Sequence, residues 1–208
     1  VYNTLIDTVK ERSAALHGYI KHRKEKLGVS ELFPYDLQVP LSSASSKKYS
    51  YEEAEQLVLE SIKPLGEEYV AIATKGFKEQ GWVDRYENQN KRSGAYSSGC
   101  FDSNPYILMN FNGSLRDVFT LAHELGHSMH SYYSNKAQNY IDASYSIFVA
   151  EVASTFNERL LLKTMLEKAT AEEEKEHLLY YDLEGVRATL FRQTLFAEFE
   201  KDIHTWAE

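Results

Sequence analysis

One cysteine, Cys100, stands alone in 208 residues. No disulfide can close within the chain, and so low a thiol count suits a reducing compartment. No apolar run approaches the ~20 residues that a membrane-crossing helix needs. No secretory leader is visible. There is no basic excess either: 23 Lys and Arg face 31 Asp and Glu, a formal net charge of −8. That balance argues against a nucleic-acid surface. Repeats and low-complexity tracts are missing. The chain starts on Val1 rather than Met and stops inside a helical pattern at Glu208. We expect part of a larger domain, cut at both ends.

What is present reads as mostly helix. Apolar residues make up 43% of the chain, enough for a core. Tyr2 to Leu27 carries a broken helical stripe, with basic residues in its last turns and Gly28 as terminator. Phe33 to Leu41, with Pro34 and Pro40, reads as an extended loop or short strand. Ser42 to Lys48 reads as a polar loop. Ser50 with Glu53 forms a capping box for a helix that Pro64 interrupts. A second helix runs from Leu65 to Phe77. Periodicity is lost from Trp82 to Gly113. There, Gly94 to Gly99 reads as a loop or edge strand, and Pro105 to Phe111 is the best strand candidate. Ser114 with Asp117 opens the next helix. Two further helices start near Ser146 and at Thr170. The expected fold is mainly α, with a small β-sheet just before the helix that Ser114 opens.

That helix contains His123-Glu124-Leu125-Gly126-His127. Residues four apart lie one turn above each other, so both imidazoles can reach one metal ion. Glu124 is turned by about 100° from His123 and can reach a water beside the ion without binding it. A catalytic zinc site needs a third protein ligand. The pattern with a later third histidine is absent, since His130 comes too early. A glutamate on the next helix is the other solution. Glu151 sits among Val149, Ala150, Val152 and Ala153, where a lone carboxylate costs several kcal/mol unless paired or metal-bound. Its plain alternative is a salt bridge. Glu158, two turns on, is a competing ligand, an outer partner or a surface residue. His130 either orients a ligand by a hydrogen bond or is a packed histidine.

Two longer segments now matter: Phe119 to Tyr133, and Ile147 to Glu158. With Lys91 to Ser97, Pro64 to Tyr69 and Phe191 to Glu200, they resemble the oligoendopeptidase F group of the thimet-oligopeptidase zinc metallopeptidase family. The resemblance runs along nearly the whole chain. It implies a zincin-like helical catalytic region and a cytoplasmic metalloendopeptidase that cleaves short peptides. One Zn²⁺ would be held by His123, His127 and Glu151, since the family places its third ligand in the Val-Ala-Glu segment. Glu124 would be the general base. Gly94, Ala95 and Tyr96 would contact substrate, and His130 and Glu158 would support the ligands. The Ile107 to Phe111 strand is expected to pair with the substrate backbone. Family members are longer, and tyrosine and histidine residues that steady the transition state lie beyond this stretch. Residues 1–208 are thus expected to be a truncated part of the catalytic domain, of low activity alone. The alternatives are a zinc-binding helical fragment without catalysis and a dipeptidyl carboxypeptidase.

Overall fold

The computed structural model describes residues 1–42 and 47–207. Most of the expected 42–48 loop falls outside them. The chain divides into two compact units: the terminal stretches, up to residue 45 and from residue 170, form one, and residues 46–169 the other.

The terminal unit contains α1 (Tyr2–Glu11), α2 (Ala14–Leu27), α7 (Glu172–Val186) and α8 (Arg192–Ala207). The single helix expected over Tyr2–Leu27 is two. Arg12 N–H is shared between Thr8 and Val9 carbonyls, and Ser13 N–H bonds Lys10 O, which tightens the turn there. Neither Gly nor Pro marks this break. Gly28 does end α2, in the left-handed region at φ 68°. The basic run does more than end a helix. Arg23 is 2% exposed, and its guanidinium bonds Glu184 at 3.0 Å and the carbonyls of Asp36 and Val39 at 3.0 and 2.7 Å. Those carbonyls belong to a 3₁₀ turn over Pro34–Gln38 and its cap, where the sequence suggests extended chain. Pro34 opens the turn, and Asp36 Oδ2 accepts from Phe33 N–H at 2.8 Å. A π-helical segment, Arg187–Phe191, joins α7 to α8, so the expected last long helix is wound in two registers.

The central unit contains α3 (Tyr51–Ser61), α4 (Glu67–Lys78), β1 (Val83–Asp84), β2 (Tyr96–Ser98), β3 (Tyr106–Leu108), α5 (Leu115–Ala137) and α6 (Ile147–Lys168). Both expected capping boxes form. Ser50 N–H bonds Glu53 at 2.7 Å, and Ser114 N–H bonds Asp117 at 2.9 Å. The core gathers where α3, α5 and α6 pack. Val58, Leu121, Leu125 and Leu161 have no exposed surface, and each such side chain contributes about 2–3 kcal/mol by burial. The sheet order is β1-β3-β2, with β1 parallel and β2 antiparallel to β3. This corrects one expectation. The first part of the expected Ile107–Phe111 strand cannot pair with a substrate, because β3, Tyr106–Leu108, is the middle strand. Its continuation is paired along the β1 side, Met109 N–H to Asp84 O and Phe111 N–H to Arg85 O. Among the three strands, β2 and β1 keep outer edges.

Candidate metal centre

The capping box fixes where α5 starts, and helical pitch does the rest. His123 and His127 fall one turn apart on one face, with ring centroids 4.7 Å apart and nearly perpendicular planes. Their Nε2 atoms are 3.1 Å apart. Glu151, in the first turns of α6, brings Oε2 to 3.2 Å from His123 Nε2 and 3.4 Å from His127 Nε2. The three side chains form a group that could hold a metal ion. Donors about 2.05 Å from a tetrahedral zinc ion stand about 3.3 Å from one another. The three measured separations straddle that value, and two imidazoles with a carboxylate are the donor chemistry such an ion takes. The group fits.

Two further bonds orient side chains of this group. Glu158 Oε1 lies 2.6 Å from His123 Nδ1. An Nδ1–H donating to this carboxylate leaves the Nε2 lone pair of His123 inward. Ser154 is fully buried, and its hydroxyl reaches Glu151 Oε2 at 2.8 Å and Glu151 O at 3.0 Å. Glu151 and Glu158 therefore divide the roles that the sequence leaves open: one faces the imidazole pair, the other backs it. The burial argument for Glu151 does not hold, however. Its side chain is 55% exposed, and Val149 and Val152 are exposed as well. Direction, not burial, sets it apart.

The charges around the group are tightly coupled. Burial opposes an imidazolium at His123, but the Glu158 bond and charge, with Glu124 and Glu151, outweigh it and hold its pKa above 6.5. Burial and the neighbouring His123 charge push His127 below that value. Glu124 is 6% exposed, and its Oε2 is buried without a hydrogen-bond partner. Burial raises its pKa above 4.5, against the pull of His123 and of a backbone hydrogen bond from Ser97. Glu124 thus presents an unpartnered, buried carboxylate oxygen beside the three-residue group.

Not every expected residue joins the group. His130 stacks on Tyr145 with centroids 3.8 Å apart, and its buried Nδ1 has no partner. It hydrogen-bonds none of the three ligands, so the orienting role expected for it is not seen. Gly94 and Ala95 line a cavity of about 610 Å³ together with Glu124. Tyr96 lines a different cavity, beside Trp82 and Tyr106. Along β2, Tyr96 and Ser98 face one way and line that second cavity, and Ser97 faces the other. Ser97 turns toward α5, with its hydroxyl 2.7 Å from that of Ser128. The period-2 rule was available in the sequence and separates Tyr96 from Ser97, but it does not say which of the two faces α5.

Two supports had no sequence signal. Asn157, 1% exposed, donates to Ala122 O at 3.3 Å and ties α6 to α5 beside the histidines. Gly126 sits where the two helices touch. A Cβ there would lie 2.5 Å from Ser154 Cα and 2.7 Å from Ala153 O. Only a glycine lets the ligand helices come this close.

The profile of Peptidase family M3 matches residues 1–208. Oligopeptidase PepF of Bacillus subtilis is 50% identical over 208 residues, which are 100% of this chain and 31% of that protein. An oligoendopeptidase F homolog of Borreliella burgdorferi is 44% identical over 205 residues, 98% of this chain and 35% of the homolog. The crystal structure of oligoendopeptidase-F from Enterococcus faecium is 33% identical with a TM-score of 0.64, covering 98% of this chain and 28% of that one. A candidate peptidase from Chlamydophila abortus is 51% identical with a TM-score of 0.88, covering 100% of this chain and 34% of that one. The chain spans about a third of the length of these relatives.

Proposed function

Since the chain belongs to peptidase family M3, we propose that it carries the metal centre and general base of a zinc endopeptidase acting on short peptides. The observation that supports this most is the three-donor triangle beside the buried, unpartnered Oε2 of Glu124. The relatives' names support oligopeptides as the substrate class. Because the match covers about a third of each relative, residues 1–208 are proposed to be one portion of a larger catalytic domain. No helix among the described residues is long and apolar enough to cross a membrane. A cytoplasmic setting is part of the proposal, supported by the single cysteine and by the family resemblance.

A bound divalent ion supplies Lewis acidity to the scissile carbonyl and to water. The chain's own residues do the remainder. His123, His127 and Glu151 hold the ion. Glu158 keeps His123 in the tautomer whose Nε2 carries a free lone pair for the ion. Glu124 Oε2 accepts a proton from the attacking water as its oxygen bonds the carbonyl carbon. The same carboxyl then gives that proton to the amide nitrogen as the C–N bond breaks. Burial suits Glu124 to both tasks, since its protonated form is not costly to hold. The test is hydrolysis of short peptides by the complete protein with metal analysis. One zinc per chain, loss of cleavage on chelation and recovery on adding zinc are expected. Cleavage that survives complete metal removal would overturn the reading.

A further inference from the structure

The cavity that holds Glu124 extends along α5 well past the metal ligands. Arg116, Thr120 and Glu124 are spaced four apart, so they share one face of the helix and all three line the cavity. Gly94, Ala95 and Asn110 line it as well. The side chain of Asn110 bonds the Arg92 and Gly94 carbonyls at 2.9 Å each, which holds that loop in place. At 1.5 Å per residue, Arg116 lies about 12 Å along α5 from Glu124. An extended peptide rises about 3.3 Å per residue. The cavity therefore spans about three residues of a peptide whose scissile bond is at Glu124.

The charges in this trench are unequal in availability. Lys91 is spent: its ammonium bonds Asp84 and Tyr86 carbonyls and the Asp84 carboxylate, and its side chain is 3% exposed. Asp117 is engaged by the N–H groups of Asn112 and Ser114. Arg116 is exposed, and among the described residues it makes no hydrogen bond or ion pair. Glu87 also lines the cavity, and its charge disfavours an anion on its own side.

We propose that Arg116 is a specificity-determining residue that binds a carboxylate of the peptide, two to four residues from the cleaved bond. This rests on the peptidase reading and narrows it. The guanidinium fork matches a carboxylate in two parallel hydrogen bonds. Two sources offer that group, an acidic side chain and the peptide's own C-terminus. At an exposed site the gain is modest, about three- to tenfold in affinity, and is screened by salt.

The test is binding of labelled peptides to the complete protein carrying Glu124→Gln, so that no turnover is needed. The peptides share one sequence, with Glu or Gln at each position two to four residues from the bond, and a free or amidated C-terminus. We expect one Glu/Gln pair, or the free/amide pair, to differ about three- to tenfold at low salt. Adding Arg116→Gln should remove that difference, Arg116→Lys should keep part of it, and Arg116→Glu should reverse it. Preference at a Glu position assigns a side-chain carboxylate, and preference for the free terminus assigns the end of the peptide. Ratios unchanged by Arg116→Gln, or no carboxylate preference in any peptide, would overturn the proposal. Failure of the peptidase reading looks different: the protein with Glu124 intact would cleave none of these peptides.

Discussion

Replacing Gly126 with alanine tests how the metal triangle is built. The added Cβ would sit 2.5 Å from Ser154 Cα, a backbone atom that cannot swing aside. Carbon atoms pack at about 3.5–4.0 Å, so α5 and α6 must separate there by about 1 Å. Glu151 lies one turn before Ser154 and moves with it. Its Oε2 stands 3.2 and 3.4 Å from the two imidazole nitrogens, whereas metal–ligand distances tolerate about 0.2 Å. A displacement of about 1 Å should weaken metal affinity about 10- to 100-fold, the loss seen when a ligand's support is removed. Stability should change less. Overpacking costs about 1–3 kcal/mol, and alanine returns about 0.5–1 kcal/mol through helix propensity. Titration with zinc in a competing chelator reads the first quantity, and thermal unfolding without metal the second. Gly185→Ala is the control, since its Cβ would meet nothing within 4 Å. In a Glu151→Gln background, Gly126→Ala should cost less than threefold in affinity, because the ligand it displaces is already impaired. Wild-type affinity in Gly126→Ala would refute the claim that this contact sets the triangle.

Two other substitutions follow from the contacts described. Glu158→Gln should lower zinc affinity about 10-fold or more by removing the carboxylate from His123 Nδ1; an unchanged affinity would show that His123 needs no such partner. Arg23→Ala should destabilise the terminal unit by about 2–4 kcal/mol in urea, because two turn carbonyls and Glu184 lose a buried guanidinium; a loss below about 0.5 kcal/mol would mean these bonds are replaced by water.

Local rules in the sequence reached a long way. Both capping boxes formed because each needs only residues three apart. The pairing of His123 with His127 followed from helical pitch alone. The division between Glu151 and Glu158 did not, since both lie on one helix face and only the α5–α6 crossing separates them. That crossing depends on Gly126 against Ser154, a contact between residues far apart in sequence. The cost argument for Glu151 failed for a related reason: apolar neighbours in sequence imply burial only if the fold covers them, and Val152 is 63% exposed. The 3₁₀ turn at Pro34 was missed because a proline followed by a capping aspartate serves a turn as readily as an extended strand. Strand order was beyond reach. Three strands of two or three residues carry too few side chains to say which one is central.

The central claim is that Glu124 moves the proton while others hold the metal. Glu124→Gln in the complete protein keeps the shape and removes the base. Zinc content should stay at one per chain, and the cleavage rate on a short peptide should fall by about 10²–10⁴-fold, the range general bases contribute. Retained cleavage, or loss of the zinc itself, would contradict the account.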